Sequence, residues 1–157
     1  MVSRFPTFRP VFRGLLLAGF LSLGAWAAAL FSAGPAPAAE LTVEVLGLGS
    51  DKGQVHFGLY DNPATFPDKD ARIQGIETAV RYGRAEAVFS GLEKGLYAVA
   101  VFHDENGNGS FDQALLGIPL ENFGFSNGAR ALLGPPSFES AQVRVPEGGA
   151  KITIRLD

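Results

Sequence analysis

Polar and apolar residues alternate through most of the chain beyond residue 40, and no stretch there repeats apolar positions at helical spacing. Residues 40–45 place Leu41, Val43 and Val45 on one face of a first strand. Gly47, Gly49, Ser50, Asp51 and Gly53 then predict a turn. Residues 54–60 alternate again, with Val55, Phe57 and Leu59 inward and His56, Gly58 and Tyr60 outward, so the two runs read as a hairpin. Residues 61–75 are rich in Pro, Asp, Asn and Lys and predict an irregular loop with one helical turn, folded over a sheet edge. Residues 76–82 and 85–89, around the turn Gly83-Arg84, predict a second hairpin. Residues 96–102 are apolar at nearly every position, as in a central strand buried on both faces. Residues 115–139 interleave Gly and Pro with aromatics and predict a long irregular segment, of the kind that is functional or packed by its own side chains. Residues 141–145 and 151–156, around Pro146-Glu147-Gly148-Gly149, predict a closing hairpin.

This pattern predicts an all-β fold, an antiparallel β-sandwich of about seven strands carrying one long irregular loop. The expected core is Val43, Val45, Phe57, Leu59, Val88, Val99, Val101, Val143, Val145, Ile152 and Ile154.

The N-terminus departs from this alternation. Arg4, Arg9 and Arg13 precede an uncharged apolar run over residues 15–31, followed by the small residues Ala36-Pro37-Ala38. A basic start, an apolar middle and a small-residue end describe a secretory signal peptide over residues 1–38, cut near Ala38 or Ala39. The competing reading is an uncleaved anchor, since a span needs at least ~17 apolar residues. Cleavage leaves one domain over residues 39–157, in the periplasm or secreted, with no membrane span. It also leaves 10 of the 13 basic residues against all 16 acidic ones, a net charge of −6. That excess argues against a nucleic-acid surface and is compatible with cation binding. The chain has no cysteine, so core burial, helped by a bound metal, must hold the domain together.

Residues 103–112, His-Asp-Glu-Asn-Gly-Asn-Gly-Ser-Phe-Asp, match D-x-N-x-N-G-x-x-D from Asp104 onward. Oxygen-bearing side chains at every second position, a glycine for the turn and a returning carboxylate suit Ca²⁺. The candidate ligands are the side chains of Asp104, Asn106, Asn108 and Asp112 and the backbone carbonyl of Ser110, with Glu121 as a distant addition. The loop is not an EF-hand, because its twelfth position is Leu115 and no exit helix follows. Asn-Gly-Asn-Gly is equally ordinary turn chemistry needing no ion.

His56 and His103 could each serve as a base. The chain offers no cysteine, G-x-S-x-G elbow or H-E-x-x-H signature for them to act with, so both read as structural and no catalytic residue is assigned. Phe123, Phe125, Phe138 and Tyr97 read as anchors for the long segment, with an aromatic platform for a sugar or peptide as the alternative.

The stretch from Phe89 to Asn106, with Leu116-Gly117-Ile118-Pro119, Gly124-Phe125-Ser126-Asn127 and Pro136-Ser137-Phe138-Glu139, closely resembles the bacterial family called domain of unknown function 2141. The resemblance covers residues 41–156 and implies an exported sandwich protein with no assigned activity. Residues 89–97 also look like the strand-turn-strand of carboxypeptidase-regulatory-like and prealbumin-like sandwiches, which bears on fold alone. The expectation is an exported, non-enzymatic module with a structural calcium loop that binds an envelope protein or glycan. The alternative is a small metal-dependent hydrolase using His103, Asp104 and Glu121.

Overall fold

The computed structural model of the protein describes residues 38–132 and 134–156. The leader over residues 1–38 therefore lies, but for Ala38, outside the described residues. Among the described residues, eight strands form two sheets. In the first, β1 (Ala39–Leu46) lies between β4 (Arg84–Leu92) and β8 (Ala150–Arg155). In the second, β2 (Gln54–Tyr60) and β5 (Gly95–Asp104) are central, flanked by β3 (Gln74–Ala79) and β6 (Phe123–Phe125). The short β7 (Val143–Val145) pairs with the start of β5. All named pairings are antiparallel except that of β1 with β8.

The alternating faces meet between the sheets. Leu41, Val43 and Val45 of β1, Val55, Phe57 and Leu59 of β2, Phe89 of β4, Val99 and Val101 of β5, and Ile154 are all buried there in one cluster. Each such side chain contributes about 1.5–3 kcal/mol by leaving water. Two expected core members are only partly buried, Val143 and Ile152, and one is not in the core. Val88 is 43% exposed, because β4 turns Ala85, Ala87 and Phe89 inward and Val88 out.

None of the three expected hairpins forms as predicted. β1 and β2 belong to different sheets, as do β3 and β4, and β7 joins β5 while β8 joins β1. Alternation orients a strand's apolar face toward the interior, and two strands meet that demand either side by side or across the core. Here the strands of each expected pair take the second course, whereas β2 and β3, and β5 and β6, pair side by side. At the first crossing Gly47, at φ 85°, approaches so closely that a Cβ would lie 2.1 Å from the Leu156 carbonyl oxygen. The chain passes from β3 to β4 through the isolated Arg81–Arg84 bridge, where Tyr82 and Gly83 both have positive φ, the signature of a tight type I′ turn. Asp51 accepts both turn N–H groups, from Gly83 at 2.8 Å and Tyr82 at 2.9 Å.

The second sheet is also covered on its outer face, so every residue from Val55 to Tyr60 is buried. Phe66 of the 61–73 loop meets Tyr60, Phe125 and Phe138 edge-on at 5.2–5.9 Å. The long segment is more regular than predicted. It contains β6, two 3-10 turns at Leu115–Gly117 and Ser126–Gly128, and leads into the one-turn helix α1 (Phe138–Ala141). Ser126 locks it down: its buried hydroxyl accepts from the Val99 N–H and donates to the Ala141 carbonyl.

Candidate functional site

The acidic loop leaves the end of β5. Antiparallel pairing with β2 matches Gln54 to Asp104, Val55 to His103 and His56 to Phe102. Side chains alternate faces, so His103 enters the interior with Val55 whereas Asp104 joins His56 on the outer face. His103 Nε2 lies 2.8 Å from the Lys52 carbonyl. Glu121 Oε2 accepts from the Asp112 N–H at 3.1 Å. The three groups assigned to a hydrolase, His103, Asp104 and Glu121, are thus directed to different surroundings and share no common centre.

Asp104 is fully buried. Its Oδ1 accepts from the N–H groups of Gly107 at 2.7 Å and Asn108 at 3.1 Å. Its Oδ2 accepts from the Gly109 N–H at 2.8 Å and faces His56 Nε2 at 3.2 Å. Burial pushes this carboxyl up, but the Gly109, Gly107 and Asn108 N–H groups and His56 together outweigh it and hold the pKa below the ordinary value. A carboxylate offers about four lone-pair sites, and here four donors fill them. Gly53, at φ 65°, completes the packing, since a Cβ there would lie 1.8 Å from the Asp104 carbonyl oxygen.

The other predicted ligands gather at the loop's outer rim. Asn106 Nδ2 donates to Asp112 Oδ2 at 2.6 Å, and Asn108 Nδ2 reaches both Asp112 oxygens at 3.0–3.1 Å. The Asn106 and Asn108 amide oxygens accept from the N–H groups of Asn108 and Ser110. As arranged, amide nitrogens rather than oxygens face Asp112, so a cation at that carboxylate requires the amides to turn. Lys69 Nζ donates to the Gly109 carbonyl at 2.7 Å, placing an ammonium against the same loop. Among the described residues no group of three or more His, Cys, Asp or Glu is placed to hold a metal.

The second feature adjoins the loop. The outer face of β2, β5 and β6 carries a groove of about 880 Å³. Register explains its floor: Gly75, Gly58, Ala100 and Phe125 lie in one cross-strand row, and Glu77, His56, Phe102 and Phe123 in the next. The small residues of the first row leave a hollow that the aromatic rings of both rows border. Phe111 of the acidic loop packs on Phe102 at 5.5 Å and Phe123 at 5.6 Å, so the loop forms part of the wall. The chain then turns back on itself through the Gln113–Pro119 bridge and holds Leu116 and Ile118 at the mouth, 91% and 59% exposed. Leu116 has φ 67°, a left-handed conformation that costs a non-glycine residue on the order of 1 kcal/mol or more.

A family model for an uncharacterized protein conserved in bacteria (DUF2141) matches residues 43–153. The chain belongs to the DUF2141 family. The matched span of this DUF2141 protein runs from β1 into β8 and includes both the acidic loop and the groove. Comparison with curated proteins and with solved structures returns no match.

Several members of this site escape sequence reading. Arg72 and Lys69 sit in a loop that looked merely irregular, and the guanidinium of Arg72 lies against Gly75, where an added Cβ would come within 2.6 Å of Nε. Burial raises the Tyr60 pKa, and the positive charge of Arg72 works against that shift. His56, read as outward, is 3% exposed and stacks on Phe102 with centroids 4.6 Å apart. Its Nδ1 lies 3.2 Å from Glu77 Oε1 at an angle that leaves it without a hydrogen bond. Nε2 is taken up by Asp104, while Nδ1 stays buried against Glu77 without a hydrogen bond. The available signal was glycine inside a strand pattern, at Gly58, which marks a bulge or a close approach by another group.

Proposed function

We propose that the protein is an exported, non-enzymatic binding module whose ligand lies in the groove over the five-stranded sheet, beside the acidic loop. The observation that carries this reading is the groove itself. Its volume falls within the ~300–1,000 Å³ typical of small-molecule sites, and its lining is aromatic and aliphatic with few polar groups. A ligand with an apolar body suits these walls better than a glycan, because Phe125 and Phe138 are buried as packing and do not offer open ring faces. An envelope partner would engage the same mouth through an apolar side chain. Nile red, a neutral apolar dye, is expected to fluoresce on binding the protein and to lose that signal in Ala100→Phe, which fills the floor. Wild-type protein that leaves the dye dark sinks this reading.

Ca²⁺ is proposed as a fastener of the groove wall, held at Asn106, Asn108, the Ser110 carbonyl and Asp112, with Asp104 as the buried anion beneath. The motif spacing supports it; the filled lone pairs of Asp104 oppose direct ligation by that residue, and the Asn106 and Asn108 amides must turn their oxygens toward Asp112. One carboxylate at the rim makes for modest affinity. Added Ca²⁺ is expected to raise the unfolding temperature of the wild type and not of Asp112→Asn. Equal shifts in both, or none in either, remove the ion from the account.

A further inference from the structure

Building on the groove reading above, we infer that the ligand is a single-chain amphiphile with an anionic head, its oxyanion held by Arg72 and Lys69 and its chain laid along the aromatic floor. The protein carries 16 acidic residues against 13 basic ones, yet among the described residues Lys69 and Arg72 line the groove and no Asp or Glu does; Glu77, at the end of the second row, lies outside the lining beside His56. No carboxylate forms an ion pair with either cation among the described residues. Arg72 is half-buried and packed against Gly75, and its planar fork of donors suits a carboxylate or phosphate monoester.

The polarity is divided across the groove. Arg72 lies over Gly75, on the β3 side, while Phe123 and Phe125 stand on the β6 side. At the mouth Leu116, Ile118 and Leu132 are 91%, 59% and 87% exposed, a concentration of unburied apolar surface on one rim. An anionic head at Arg72 with an aliphatic tail running toward β6 and the leucine mouth satisfies both halves. It neutralises the cationic end and covers the apolar one. A free anion would leave the leucines in water, and a neutral apolar molecule would leave the guanidinium unpaired.

The test is displacement of Nile red from the protein as the cell processes it, using dodecanoate, dodecyl phosphate, dodecanol and dodecyltrimethylammonium below their micelle concentrations, with acetate as the head alone. Dodecanoate or dodecyl phosphate is expected to displace the dye about tenfold or more better than the neutral and cationic chains, the difference a charge-assisted hydrogen bond makes. Acetate is expected to displace nothing. Arg72→Gln should remove the preference, so that anionic, neutral and cationic chains displace the dye alike. Should that variant fail to fold, Lys69→Gln, altered at an exposed position, should still lower the preference. Equal displacement by all three head types, or preference unchanged in both variants, overturns the anionic head and leaves the groove reading standing. Absence of Nile red binding to the wild type overturns the groove reading itself.

Discussion

Asp104 shows how one side chain couples the loop to the sheet. Its carboxylate is buried, and the donors around it come from three residues of its own loop and from His56 on the neighbouring strand. Its folded-state pKa lies below the ordinary 3.8, so between the two values the unfolded chain binds more protons than the folded one. The stabilisation is complete above the unfolded value and is lost as pH falls through the folded one. Asp104→Asn cannot reproduce it, because an amide nitrogen would face the Gly109 N–H and His56. We expect the variant to lose about 1–3 kcal/mol at neutral pH. We also expect its stability to fall less steeply than that of the wild type below the ordinary carboxylate range. Urea unfolding of both proteins from neutral to acid pH checks this, and parallel pH profiles would refute the assigned role. The sequence made Asp104 conspicuous through its spacing to Asn106, Asn108 and Asp112. Spacing says which residues share a loop, however, and leaves open which atoms take up each lone pair.

At the level of elements, strand positions were legible and strand neighbours were not. Alternation located β1, β2 and β8 and their inward faces because burial on one side imposes a two-residue period, and an unbroken apolar run located β5. β4 was placed, but its alternation was read in the wrong phase at Val88. Pairing is a property of the folded sheets, and the parallel contact of β1 with β8 joins residues more than a hundred positions apart. β6 was hidden for a different reason. Its three residues, Phe-Gly-Phe, are too few to establish a period, and the glycine is required because a Cβ at Gly124 would meet Leu156 at 2.6 Å and Ile154 at 3.0 Å. The groove floor was equally obscure. Gly58 and Ala100 become neighbours only through the β2–β5 register, and Gly75 only through that of β2 with β3. The aromatic anchors were readable in part. Phe125 and Phe138 pin the outer layer as expected, while Tyr97 lies in the core between the sheets, its hydroxyl donating to the Glu93 carbonyl at 2.9 Å.

Taken whole, the molecule stabilises itself without disulfides through two apolar layers, one between the sheets and one beneath the loops. That architecture constrains where a leader can be removed. β1 begins at Ala39, which is 2% exposed and paired with Leu92, and the small-residue run Ala36-Pro37-Ala38 stands immediately before it. A cut after Ala38 leaves every residue of β1 in place, and a cut after Ala39 removes one buried residue and one pairing position. Cleavage further along would strip Leu41 and then Val43 from the core, each contributing about 1.5–3 kcal/mol by burial. The expected product therefore starts at Ala39, has lost Arg4, Arg9 and Arg13 with the leader, and carries a net charge of −6. Intact-mass measurement on protein recovered from the cell envelope or medium checks the start site. A chain that retains Met1 in the membrane fraction would instead make the apolar segment an anchor.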